Sequence, residues 1–94
     1  MAIASETIER LQDLLADVGL SEESDLAAMH LAEIEQEAGN FLDQLTGFRS
    51  HARNEESAPA QEALVEVSLA LQHMADHILA VTPILDHELG IAND

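Results

Sequence analysis

Apolar residues recur through this chain at steps of three and four, the spacing of one side of an α-helix. Three helices are predicted. The first spans about 5–18: Ser5 is a natural N-cap, Glu6 suits the positive helix end, and Gly19 suits a left-handed stop. Ile8, Leu11, Leu14, Leu15 and Val18 form its stripe. The second spans about 21–50, capped by Ser21, with Glu22, Glu23 and Asp25 in its first turn. Along it Leu31, Ile34, Ala38, Phe41, Leu45 and Phe48 step alternately by three and four, an a/d heptad seam. Gly39 and Gly47 each weaken it by about 1 kcal/mol relative to alanine, and Gly47 marks a place where it can fray or end early.

A clear break follows at "RNEESAPAQ", where Ser57 suits a cap and Pro59 a first turn. The third helix spans 57–89, with Leu64, Val67, Leu71, Met74, Ile78, Val81 and Leu85 as its seam and Gly90 as its stop. Pro83 lacks a backbone donor, so a kink or break is expected near Val81–Thr82.

Two seams of similar length joined by a short loop imply an antiparallel hairpin. The fold class is therefore all-α, one helical domain over 1–94. The first helix is too short to cover both long ones, and Val65, Leu69, Leu79 and Ile84 lie off the main seam of the third. A homodimer that buries this surface, as a four-helix core from two hairpins, is the expected completion. The rival is a three-helix monomer with an apolar groove for a different protein.

Composition narrows the function. A chain of 94 residues makes one small domain, and with no cysteine it has neither disulfides nor thiolate metal ligands. "MAIASETIER" lacks the basic start and apolar run of a secretory signal, and "ILAV" is far short of a membrane span, so the expected location is cytoplasmic. Nineteen acidic residues face three arginines and no lysine, for a formal net charge of −16. The acid is spread along the whole chain. A field of this sign repels phosphate backbones and anionic lipid, so no direct nucleic-acid or membrane binding is expected. It attracts a basic protein partner or a polyvalent cation.

Histidines are the candidate chemistry. His73 and His77 are four apart on one helix, and His30, Glu33 and Glu37 are grouped on another. A loop centred near residue 54 puts residue 30 roughly level with residue 78, so His30 and His77 can meet. Imidazole and carboxylate from facing helices are the ligands with which bundles hold zinc, iron or manganese. His30, Glu33, Glu37, His73 and His77 are thus the candidate set for a divalent metal. The Glu-x-x-His order of di-iron bundles is not present; "HLAE" reverses it and "HMAD" lacks the glutamate. The bland reading makes Leu71, Met74, Ile78, Val81 and Leu85 the core, with His73 and His77 at its rim. A pH-sensing role is a third reading, since histidine titrates near neutrality.

"EIEQEAGNFLD" resembles the glutamate-rich helices of all-α nucleotide pyrophosphohydrolases, in which carboxylates hold magnesium. The resemblance implies Glu33, Glu37 and Glu66 as ligands. The double-glutamate motif of that family and its basic residues for a triphosphate are missing. "LTGF" resembles the bend of small helical-hairpin secretion proteins, with Leu45 where they carry tryptophan. The reading that combines these observations is a non-enzymatic protein-binding or adaptor protein with no cofactor. It would work through Val65, Leu69, Leu79 and Ile84 or through the acidic face at Glu33 and Glu37. Nucleic-acid mimicry against a basic cleft and a metal-binding helical enzyme are the alternatives.

Overall fold

The computed structural model describes residues 5–91. Every element in it is helical: α1 (Ser5–Asp17), one 3-10 turn (Glu22–Ser24), α2 (Asp25–Arg53) and α3 (Ser57–Leu89). The fold is all-α. The expected second helix is divided at its start. Ser21 Oγ accepts from the Glu23 N–H at 3.2 Å, which caps the 3-10 turn, and α2 begins only after it. α2 also runs past Gly47 to Arg53, so Leu45–Phe48 is continuous helix and not the turn of a hairpin. At α3 the cap position is Glu56, and Ser57 is already helical.

Pro83 neither breaks nor ends α3. The donor it lacks would have met the Leu79 carbonyl, four residues back. The Thr82 hydroxyl donates to the Ile78 carbonyl beside it at 2.7 Å.

All three helices end in the same turn. Leu20, Glu56 and Ile91 donate to the carbonyls of Leu15, His51 and Asp86, five residues back, and Gly19, Glu55 and Gly90 donate to those of Ala16, Ala52 and His87. This is the Schellman arrangement, which needs a left-handed residue after the helix. Gly19 and Gly90 supply it at no steric cost, whereas Glu55 adopts φ +59 as a non-glycine residue. The connection between α2 and α3 is therefore only Asn54–Glu56.

His30 meets His77, Glu37 meets His73, and His51 meets Glu56, so α3 returns along α2. α1 touches α2 and the 3-10 turn but, among the described residues, not α3. Ala28 and Ala32 show where it sits. They lie on the side of α2 turned away from His30, yet they are 0% and 2% exposed, so α1 covers them. The order across the molecule is α1, α2, α3, in one layer. Its extents are 51 × 35 × 17 Å. The radius of gyration is 16.8 Å, against about 12 Å for a compact domain of this length.

On α3 the core agrees with expectation at Val67 and Val81, which are buried, and departs from it elsewhere. On α3 the buried positions are Ala60, Ala63, Val67, Ala70 and Val81. Leu64, Leu71 and Ile78, expected in the seam, are 42%, 48% and 46% exposed. The buried row steps by three and four, and Leu64, Leu71 and Ile78, seven apart, each stand one residue past it. The row of small residues faces α2, because alanines let two helices approach at the short end of the usual 8–10 Å. The row of large residues is left at the side. On α2, all six expected seam residues are only half-buried. No side chain larger than valine is fully buried among the described residues.

By length and composition α3 is the one described helix apolar enough to cross a membrane. Its large apolar residues lie on several faces, Val65 and Leu79 standing 59% and 75% exposed, and Asp76 and His77 fall in its C-terminal half.

Candidate functional site

The two open sides of the α2–α3 layer are unlike each other. Leu64, Leu71, Ile78 and Leu85 each follow a residue of the α3 row that faces α2, and Leu31, Ala38 and Leu45 each follow His30, Glu37 and Gln44 on α2. In antiparallel right-handed helices, one step past the facing residue turns both sets to the same side. This is the leucine side. One step before the facing residues gives the other side, with Glu33 and Asn40 on α2 and Glu66, His73 and His87 on α3. This is the carboxylate and histidine side.

His30 and His77 lie between the two sides, in the contact itself. Their Nδ1 atoms are 3.0 Å apart, with ring centroids 5.2 Å apart and the planes tilted by 52°. Each follows or precedes an alanine-rich turn, so both rings fit where larger neighbours would collide. One Nδ1–H donates to the lone pair of the other ring. His77 is half-buried here and belongs to the row facing α2, so the expected rim position applies to His73 alone.

Of the candidate metal residues, His30 thus pairs with His77, and His73 Nδ1 lies 3.6 Å from Glu37 Oε2. Glu33 is half-buried one turn before Glu37. Glu37, Gln44, Glu66 and His73 line an open cleft of about 230 Å³ between α2 and α3. Among the described residues, the one group of three whose ligand atoms all come within 4.8 Å is elsewhere: Glu23, His87 and Glu88. There Glu88 is already engaged, since its carboxylate accepts from the Ser21 N–H and hydroxyl at 2.8 Å. Those bonds tie the 3-10 turn to the end of α3. Sequence patterning did not single out this cluster, because Glu23 is more than sixty residues from His87 and Glu88. The reversed step from Ser21 to Glu88 carries no local signal.

The four apolar candidates for partner binding are dispersed. Val65 and Leu79 are 59% and 75% exposed on the outer side of α3. Leu69 lines the polar cleft with Glu37 and His73. Ile84 is half-buried near Glu23, His87 and Glu88. Comparison with protein-family models, with curated proteins and with solved structures finds no match for this chain.

The histidine pair makes a stability test. His77→Ala leaves His30 without its partner and should cost about 1 kcal/mol, whereas replacing both rings with leucine should be neutral or stabilising. Urea unfolding of His30→Ala, His77→Ala, their double variant and the double leucine variant measures this. Equal costs that simply add would show that the rings do not interact.

Proposed function

We propose that this chain is a small acidic protein-binding module, an adaptor and not an enzyme, that draws in a basic partner and holds it by helix packing. The observation that carries the reading is the single layer with two unlike open sides. A layer of this kind offers extended surface for another helix, and the clefts at Glu37–His73 and at Glu23–Glu88 are open ones. The net charge of −16 acts at a distance, and the carboxylates at Glu33, Glu37 and Glu66 give it a local focus on one side. None of Arg10, Arg49 and Arg53 forms an ion pair among the described residues. Most of the acid is therefore uncompensated within the chain. Long-range attraction of this type raises the association rate and favours basic partners over acidic ones.

A labelled amphipathic helical peptide rich in arginine and leucine is the probe. Fluorescence anisotropy should show its affinity falling about tenfold or more between 50 and 500 mM salt, as the Debye length shrinks to a few ångströms. The triple variant Glu33→Gln, Glu37→Gln and Glu66→Gln should weaken binding several-fold. An acidic peptide with the same apolar pattern should not bind. Affinity indifferent to salt, or equal for the two peptides, rejects the electrostatic reading.

A further inference from the structure

The leucine side is nearly free of charge in a chain that is acidic almost everywhere else. Between Leu31 and Ala52 on α2 it carries one acid, Glu35, and one base, Arg49. On α3 the same side shows Gln61, Leu64, Ser68, Leu71, Ala75 and Ile78, none of them charged. Glu35 and Arg49 have no ion-pair partner among the described residues. They lie at equal distances before and after Leu42, which is 60% exposed.

That spacing is self-complementary. Stacking two such layers face to face about a two-fold axis that crosses the helices reverses the chain direction, so α2 lies antiparallel on its own copy. With the axis at Leu42, Glu35 of one chain falls opposite Arg49 of the other, twice over. Ala38 falls within one residue of the level of Leu45, small against large. The intrachain pairs His30–His77 and Glu37–His73 put Leu42 level with positions 65–68 of α3. The same axis therefore brings Leu64 of each copy toward Leu71 of the other.

The exposed area fits this occupant. The chain exposes 6580 Å², against about 5,300 Å² for a compact monomer of its mass. The excess exceeds the roughly 800 Å² per partner that a stable interface buries. We propose that a second copy of this chain packs on the leucine side, antiparallel about Leu42, so that Glu35 of each copy meets Arg49 of the other. The acidic sides then face outward and away from each other, which keeps most of the negative charge apart. This goes beyond the basic-partner reading, which concerns the opposite side, and either can fail without the other.

Sedimentation equilibrium over a range of protein concentrations is the test, with circular dichroism to confirm that each variant remains helical. The wild-type chain, 10.2 kDa as a monomer, should reach about 20 kDa at tens of micromolar, and Leu42→Glu should hold it at the monomer mass. Glu35→Arg and Arg49→Glu, each alone, should weaken self-association about tenfold by setting like charges opposite each other. The double variant should recover affinity to within about threefold of wild type. A wild-type chain that stays monomeric at all concentrations overturns the proposal. So does a helical Leu42→Glu variant that still dimerises, and so does a double variant no better than either single one.

Discussion

Replacing Ala70 with leucine is expected to lower the melting temperature by about 5–20 °C, from an overpacking cost of about 1–3 kcal/mol. Ala70 is 3% exposed in the row that faces α2, roughly level with Glu37. Leucine and alanine differ little in helix propensity, so the loss would come from forcing the helices apart. Ala28→Leu provides a contrast. Ala28 is 0% exposed, but on the other side of α2, beneath α1. Overpacking there should undock α1 and leave the α2–α3 contact in place. Circular dichroism should then lose only a small part of its helical signal, while hydrogen exchange becomes fast along α1. If Ala70→Leu melts within 2 °C of wild type, the close approach of α2 and α3 through alanine is not what holds them together.

Salt should act in the opposite direction. Raising sodium chloride from 20 mM to 1 M at fixed protein concentration is expected to raise the melting temperature by about 5–20 °C. Five like-charge pairs lie three or four apart within the helices: Glu6–Glu9, Glu9–Asp13, Asp13–Asp17, Glu33–Glu37 and Glu62–Glu66. Each costs about 0.2–0.5 kcal/mol, so screening all five returns about 1–2.5 kcal/mol. The contacts His51–Glu56, His73–Glu37 and His87–Glu23 involve no arginine, so little attraction between permanent charges is lost in exchange. Three of the five pairs sit on α1, which has no fully buried residue. Its docking should respond to salt most. A neutral osmolyte at matched osmolality separates screening from general stabilisation. A melting curve that does not move with salt would show that self-repulsion is a small part of the balance.

The helices were legible because apolar spacing and cap residues are local signals. Gly19 and Gly90 stop their helices with positive φ, as their lack of a side chain suggests. The level of His30 against His77 could be read from loop position alone, and the two rings are in contact. The facing row of α3 could not be read the same way. Patterning weighs large apolar residues most, so it selected Leu64, Leu71 and Ile78 over Ala63, Ala70 and His77. Which of two adjacent rows meets α2 is decided by how closely the backbones can approach, and that depends on both helices together. Glu55 illustrates a second gap. Nothing in "RNEESAPAQ" marks a glutamate for left-handed geometry, and it is imposed by the need to close α2 within three residues. The Ser21–Glu88 tie is a third, since its members are 67 positions apart.

That three-residue connection also governs the order of assembly. Contacts near Arg53 and Ala60 close the smallest loops and form first, and pairing then zips outward through Glu37 and His73 to His30 and His77. The Ser21–Glu88 bonds close the longest loop and so come last. The same end should be the first to open in the native state, which makes it the natural starting point for local unfolding and proteolytic attack.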